Sequence, residues 1–148
     1  MFSKNFIAAT KEYSEYGKHI PAPYLRKSFT AKAKVRYATV TVCGLGFYEL
    51  FVNGDRLTKG LLAPYISNPD DILYYDEYDL TTHLTAGKNV LGFCLGNGML
   101  NCPGGTIWDF QDVPYRSAPK LAMALQITYE NGEQEQIFAD ESFKTHPS

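Results

Sequence analysis

The sequence predicts an all-β fold, an antiparallel β-sandwich built from many short strands. Short runs rich in β-branched and aromatic residues recur along the 148 residues, and turn-forming residues separate these runs. Aromatic residues make up 14% of the chain, and Tyr and Phe suit pleated surfaces. No segment sustains the 3.6-residue period of a helix. Since 45% of the residues are hydrophobic and the length is typical of one domain, a sizeable core is expected.

The first 24 residues show no regular apolar period, and Pro21 and Pro23 break up their end. We therefore expect an extended N-terminal lead-in over residues 1–24. A single β-sandwich domain is expected over residues 25–148, in which short strands follow one another.

Two strands are expected in the first half of this domain. Residues 35–42 are dense in β-branched side chains, and residues 47–52 follow as a second apolar run. The glycines within residues 43–46 predict a tight connection or bulge between these strands. Alternation predicts one buried face on each strand, formed by Ala38, Val40, Val42, Tyr48, Leu50 and Val52.

Residues typical of turns separate the elements predicted for the middle of the chain. Asn53-Gly54 predicts a type I′ hairpin turn, after which Arg56-Leu57 begins the return. A further strand is expected at residues 72–78, closed by the polar turn that follows it. Residues 82–87 predict one helical turn that ends on a glycine.

The last strands carry the clearest patterns. We expect strands at residues 89–95 and 121–129, then a hairpin at Asn131-Gly132 from which residues 134–139 pair back. The residues expected to face the core are Leu91, Phe93, Leu95, Leu121, Met123, Leu125, Ile127 and Tyr129.

Charge and cysteine content exclude several classes of partner. A net charge of −2 provides no field that would attract nucleic acid or an anionic membrane. The three cysteines cannot all pair within the chain, which favours a reducing compartment. The apolar run near the N-terminus is too short for a signal-peptide core, so a cytoplasmic location is expected. A periplasmic or secreted location stays open if a leader was removed.

No arrangement in the sequence supports catalysis or a metal centre. The sequence contains none of the common nucleophile, phosphate-binding or zinc motifs, and its three histidines lack an evident partner. Asp76 and Glu77 would face opposite ways on a strand, so they cannot flank one glycosidic bond. Asp70-Asp71 indicates turn chemistry. We expect no catalytic residue, no metal ligand and no cofactor; calcium is an alternative without a matched ligand set.

One long loop, residues 97–119, is the segment most suggestive of function. Structureless loops of this length are uncommon in compact domains and are often functional. Trp108 could stack on a sugar ring, plug the open end of the sandwich or dock on a neighbouring domain. The candidate residues for carbohydrate or domain contact are Asn97, Trp108, Asp109, Phe110 and Tyr115.

A series of motifs resembles a known family. The series comprises GLGFYELFVNG (44–54), LAPY (62–65), YYDEYDLT (74–81), LTAGKNVL (84–91), LGNG (95–98) and ADESFK (139–144). In this order they resemble the N-terminal β-sandwich domain of bacterial α-L-rhamnosidases, a galactose-binding-like sandwich of jelly-roll type. Similar sandwiches are attached to β-galactosidases and β-glucuronidases. The sequence departs from the pattern at Met99-Leu100, where the family has an aromatic pair.

The resemblance implies a non-catalytic accessory domain of a glycoside hydrolase, excised from a larger multidomain chain. It implies that the domain packs on and supports a separate (α/α)₆ catalytic barrel of the same parent chain. The alternative is a carbohydrate-binding module for rhamnose-containing carbohydrate, with calcium as a cofactor in some relatives. The supporting role predicts an exposed apolar patch that involves the 97–119 loop. The binding role predicts a concave site where aromatic side chains adjoin Asn and Asp.

Overall fold

A computed structural model of the chain describes residues 5–104, 109 and 112–148, and within them nine strands form two sheets. The strands are β1 (Pro23–Ala31), β2 (Val35–Leu45), β3 (Phe47–Val52), β4 (Asp55–Arg56), β5 (Asp76–Asp79), β6 (Gly87–Gly96), β7 (Lys120–Tyr129), β8 (Gln134–Phe138) and β9 (Lys144–Pro147).

Both sheets are antiparallel, as the sequence predicts. One has five strands in the order β4-β3-β6-β1-β9, and the other has four in the order β5-β2-β7-β8. The long central strands β2 and β7 pair through nearly their whole length, with a register shift between Val35 and Tyr37. Strands β1 and β6 pair in the same way in the five-stranded sheet. The two sheets pack as a sandwich.

The core lies between the sheets and contains the residues that alternation predicts. Each strand turns every second side chain inward, so the apolar set of one sheet meets that of the other. All of these side chains are buried: Ala38, Val40, Val42, Tyr48, Leu50, Val52, Leu91, Phe93, Leu95, Leu121, Met123, Leu125, Ile127 and Tyr129. The antiparallel β-sandwich expected from the sequence is thereby confirmed.

Two predicted strand boundaries differ from the structure by more than two residues, and the strands after them begin or end within two residues of the prediction. Strand β2 continues through Cys43 and Gly44 to Leu45, so the connection to β3 is Gly46 alone. Gly46 has a φ of +91°, a backbone conformation that side chains disfavour. Strand β5 begins at Asp76, whereas residues 72–75 lie outside any strand and are exposed. Aromatic residues favoured a strand there, but no described strand pairs with residues 72–75.

Strands β1 and β9 have no clear alternation in the sequence, and they form one side of the five-stranded sheet. Strand β1 begins at Pro23, inside the expected lead-in. The described lead-in residues are tied to the sandwich, because Ile7 pairs with Leu121 through two backbone hydrogen bonds of 2.9 Å. The division into a lead-in over residues 1–24 and a domain over residues 25–148 stays a prediction.

The turns follow the predicted chemistry with small shifts. Asn53 and Gly54 adopt φ of 53° and 100°, as a type I′ turn requires, and β4 starts at Asp55, one residue early. The predicted helical turn lies at residues 80–84, two residues earlier than expected, because Leu84 N bonds to Leu80 O at 3.1 Å. Across the described residues, we find no helix with the length and apolar character that a membrane span requires.

Candidate functional site

Most of the large apolar side chains that are exposed in the described part of the chain lie in one segment, residues 61–75. Tyr48 N donates a 2.7 Å hydrogen bond to Ala63 O, which fixes the start of this segment to β3. Scattered exposed apolar residues are ordinary, but a concentration of them indicates an interaction surface. We call this group the apolar surface, and it includes Met99 from the 97–119 loop: Leu61, Leu62, Tyr65, Ile66, Ile72, Leu73, Tyr74, Tyr75 and Met99.

A small cleft of about 70 Å³ lies within the apolar surface. Residues 44–47 line one part of it, and Tyr65, Tyr74 and Tyr115 line others. The rings of Tyr65 and Tyr74 meet edge to face with centroids 6.5 Å apart. The cleft is lined mainly by apolar residues and has room for about one side chain, and its lining brings the 97–119 loop beside the apolar surface.

Asn97, a predicted site residue, forms hydrogen bonds to other residues of the chain through both the nitrogen and the oxygen of its side-chain amide. Its Nδ2 donates to Ile20 O at 3.1 Å, and its Oδ1 accepts from Asn101 Nδ2 at 2.8 Å. Asn101 in turn accepts from Ser14 N at 2.6 Å. Both Ser14 and Asn101 are buried. Asn97 therefore helps to hold the lead-in against the start of the 97–119 loop.

The other predicted site residues lie further along the loop. Tyr115 is half-buried and lines the cleft. Asp109 is exposed with a φ of 47°, and its carbonyl accepts from Asp112 N at 2.9 Å. Trp108 and Phe110 lie outside the described residues. The structure thus places Tyr115 at the cleft and Asn97 in a separate polar network, and a contact role for the five residues stays a prediction.

A polar cluster that the sequence analysis missed joins β3 to β5. The Tyr48 hydroxyl donates a 2.5 Å hydrogen bond to Asp76 Oδ2. Since Tyr48 has only this one proton, the Tyr78 hydroxyl donates to Tyr48 at 3.0 Å. Burial raises the pKa of Tyr48 and of Tyr78 above the usual value, and the Asp76 charge adds to both shifts. Both phenols therefore stay protonated as donors.

An open cavity of about 480 Å³ lies beside this cluster. Asp76, Glu77 and Tyr78 form one side of it, and residues 57–65 contribute the rest. Asp76 is half-buried and Glu77 is exposed, which fits their opposite directions on a strand. The alternation of Asp76 and Tyr78 on one face of β5 could have signalled the pair, but the position of β3 beside them is a long-range feature.

The remaining titratable groups that the structure describes are dispersed over its turns and exposed surface. His19 and His146 are exposed, and His83 is half-buried in the turn before β6. Asp70 and Asp71 belong to a turn, as expected, in which Asn68 Nδ2 donates to Asp71 Oδ2 at 2.6 Å. Among the side chains that the structure describes, no three His, Cys, Asp or Glu residues gather into a potential metal site. The expectation of no cofactor, with calcium as the alternative, stays a prediction.

Sequence comparison identifies a family for most of the chain. The family model described as "Alpha-L-rhamnosidase N-terminal domain" matches residues 33–148. An α-L-rhamnosidase of Formosa agariphila is 35% identical over 130 residues, which cover 83% of this chain and 13% of that protein. The chain therefore spans a small fraction of the length of this curated relative.

Structure comparison agrees. The α-L-rhamnosidase of Dictyoglumus thermophilum aligns with a TM-score of 0.78 and 30% identity, over 96% of this chain and 16% of that chain. The Streptomyces avermitilis α-L-rhamnosidase, solved in complex with L-rhamnose, aligns with a TM-score of 0.77 and 27% identity. This alignment covers 86% of the present chain and 12% of the Streptomyces chain. The described sandwich, the order of its motifs and these matches agree, and the chain belongs to the family of α-L-rhamnosidase N-terminal domains.

Proposed function

We propose that this chain is a non-catalytic accessory domain of an α-L-rhamnosidase, which packs on a catalytic domain of the same polypeptide and supports it. The observation that carries the proposal is the apolar surface on residues 61–75 with Met99. The relatives support a same-chain partner, because this domain accounts for only 13% to 16% of their length. A second domain would remove these side chains from water, which stabilises the pair at roughly 25 cal/mol per Å² of apolar surface buried.

The shape of the apolar surface fits this role. Tyr65 is 83% exposed although its backbone neighbours Ala63 and Pro64 are partly or fully buried. Large aromatic side chains held on an anchored segment are typical anchors of protein interfaces. The cleft between Tyr74 and Met99 would receive a side chain of the partner domain. The supporting role thus explains why so much apolar surface is concentrated on one segment.

Hydrogen exchange tests the docking. We expect backbone amides of residues 61–75 to exchange more slowly in the full-length rhamnosidase than in the isolated chain, because docking excludes water from them. In the full-length protein, Tyr65→Ser should weaken the domain contact by about 1 kcal/mol or more. The matched control is Tyr16→Ser, which removes an 89% exposed tyrosine outside the apolar surface. Equal exchange rates of the amides of residues 61–75 in the full-length rhamnosidase and in the isolated chain would contradict the proposal.

An activity assay tests the non-catalytic part. The isolated chain incubated with 4-nitrophenyl α-L-rhamnoside should release no nitrophenol above a mock preparation, since Asp76 and Glu77, the adjacent carboxylates of β5, face opposite ways and cannot act together on one glycosidic bond. Release that rises in proportion to the concentration of the chain would show that the domain catalyses by itself.

A further inference from the structure

We propose that the outer face of the five-stranded sheet is a second interface, which binds an acidic surface of another domain of the same polypeptide. The inference rests on the proposed function only in taking the chain as one domain of a longer α-L-rhamnosidase, as its 13% to 16% share of the relatives' length supports. It concerns a different part of the molecule from the apolar surface, because residues 61–75 contribute no strand to this sheet.

The outer face of this sheet carries an excess of positive charge. The side chains that alternate along the strands with the buried Leu25, Leu50 and Phe93 point away from the core. At neutral pH the charged members of this outer set are four cationic residues and one carboxylate: Arg26, Arg56, Lys88, Lys144 and Glu49. We call this side of the sheet the basic face. Since the whole chain has a net charge of −2, the excess is local to the sheet.

Two of the cations are adjacent and have no counter-ion in the part of the chain that the structure describes. Arg26 of β1 lies directly opposite Lys144 of β9, so the two side chains are close neighbours on one face. Both are exposed, and no described carboxylate lies within ion-pair distance of either. By contrast, Arg56 pairs with Glu49 at 2.9 Å. Like charges placed directly opposite each other repel, and carboxylates of a partner would relieve this repulsion.

The edge position of β9 does not account for the pair. Lysine on an edge strand discourages unwanted strand pairing, which would explain Lys144. It does not explain Arg26, because β1 lies inside the sheet between β6 and β9. A symmetric contact with a second copy of the chain would set one basic face against another, so the charges favour a different, acidic partner.

An apolar groove of about 340 Å³ adjoins the two cations. Arg26 lines it together with the half-buried Phe51 and the exposed ring of Tyr24. Gly92 lies opposite both Arg26 and Phe51, and its lack of a side chain leaves the groove open between them. Nucleic acid presents phosphates in series and would leave this groove unfilled, whereas a protein surface combines carboxylates with apolar side chains. The groove therefore favours a protein partner.

Carbodiimide cross-linking of the full-length rhamnosidase tests the proposal, because it joins an amine to a carboxylate only where the two are in contact. Mass spectrometry of the peptides should show Lys144 joined to an Asp or Glu outside the 148 residues of this chain. Lys34, which contacts Glu130 at 2.7 Å, is the internal control and should be joined within the chain. The proposal would be overturned if Lys144 were joined only to residues of this chain, or to nothing while Lys34 reacts.

Variants of the full-length protein test charge and shape separately. Arg26→Gln should lower the yield of the Lys144 cross-link about threefold or more, because it removes half of the unpaired charge. Arg36→Gln removes an exposed cation from β2 of the other sheet and should leave the yield unchanged. Gly92→Val fills the groove, where a Cβ atom would lie 3.6 Å from Phe51 Cβ, and should lower the yield by a similar factor. Equal yields in Arg26→Gln and Arg36→Gln would contradict the proposal. If a variant does not fold, the cross-link of the unmodified protein decides.

Cross-linking at the basic face and docking of the apolar surface can fail separately. Protection of residues 61–75 without the Lys144 cross-link would leave the supporting role and overturn the second interface. The cross-link without that protection would support the basic face as an interface and contradict docking through the apolar surface. Binding of the isolated chain to phosphatidylglycerol vesicles that is lost in Arg26→Gln would assign the face to a lipid surface and overturn the proposal.

Discussion

The Tyr48 hydroxyl donates a 2.5 Å hydrogen bond to the carboxylate of Asp76, and this bond joins the two sheets. Tyr48 belongs to β3 of the five-stranded sheet, while Asp76 belongs to β5 of the four-stranded sheet. No ladder of backbone hydrogen bonds connects these strands, since sandwich layers are held by side chains. The bond therefore fixes the apposition of β3 and β5 and positions Asp76 beside its cavity.

Removing the Tyr48 hydroxyl should destabilise the fold. Tyr48→Phe keeps the buried ring but leaves the half-buried Asp76 without its donor, so the free energy of unfolding should fall by about 1–3 kcal/mol. Urea denaturation followed by circular dichroism measures the change. Tyr37→Phe, at an exposed position of β2, is the control and should have little effect. Equal stability of the two variants would show that the bond contributes nothing.

Gly46 should be less replaceable than other glycines with positive φ. A Cβ atom at Gly46 would lie 2.4 Å from Gly96 O, whereas one at Gly132 would have no atom within 4 Å. Both positions have similar φ values, +91° and +87°. Gly132→Ala should cost about 1–2 kcal/mol for its conformation alone. Gly46→Ala should cost about 3 kcal/mol or more, since the backbone of β6 must also move.

Thermal and urea denaturation of these two variants compare the costs directly. Equal losses of stability would mean that the contact between Gly46 and Gly96 does not constrain the β2–β3 connection. The same experiment checks whether β2 ends at Leu45. If the connection were instead a bulge spread over residues 43–46, it would accommodate the added methyl group of Gly46→Ala at a smaller cost in stability.

The sequence predicts the core well because one physical rule controls it. Strand β7 places its large apolar residues at every second position, Leu121 to Tyr129, as the core face of a strand requires, although Ala122 and Ala124 on its other face are also buried. The turn at Asn53-Gly54 can be predicted equally well, because a type I′ turn needs two residues with positive φ and Asn-Gly provides them. Where a local requirement such as one buried face or two positive φ angles determines the structure, the sequence pattern is sufficient to predict it.

Contacts between residues that are far apart in the sequence are harder to predict from the sequence. The buried Asn89 accepts at Oδ1 from Asn53 Nδ2 at 3.0 Å and from Thr85 N at 3.0 Å, and its Nδ2 donates to Thr85 O at 2.7 Å. Nothing local shows that Asn53 and Asn89 meet. The cavity at Asp76 is hidden for the same reason, since residues 57–65 and β5 converge only in the fold. The exposed apolar residues at 72–75 resemble a strand locally, but none of the described strands pairs with them.

Cys43 should be almost inert in the folded protein. Burial raises the pKa of its thiol to about 11, and the charge of Asp76 contributes. Because the thiolate is the nucleophile, alkylation by iodoacetamide at pH 8 should be at least about a hundredfold slower than in unfolded protein. Peptide mass spectrometry over a time course measures the rate, and the same peptide labelled in urea is the reference. Similar rates in the two states would mean that Cys43 is accessible.

Asp140 should make the fold sensitive to acid. Its carboxylate accepts hydrogen bonds from Ser142 N at 3.0 Å and from Lys27 Nζ at 3.0 Å. The Ser142 and Lys27 hydrogen bonds hold the pKa of Asp140 below its usual range. A carboxyl group with a depressed pKa in the folded state stabilises the fold above its unfolded pKa of about 3.9, and this contribution is lost as the pH falls through the folded value.

Asp140→Asn keeps the turn with Ser142 but removes the charge that Lys27 contacts. Because the Asp140 side chain is 54% exposed, solvent screens the pair, and the loss at pH 7 should be at most about 1 kcal/mol. The difference from the unmodified chain should shrink as the pH falls from about 4 through the lower folded pKa of Asp140, because the protonated carboxyl group is then as neutral as the asparagine. Urea denaturation across this pH range measures it, with Asp70→Asn as the control. A difference that does not change with pH would assign the effect to packing instead of charge.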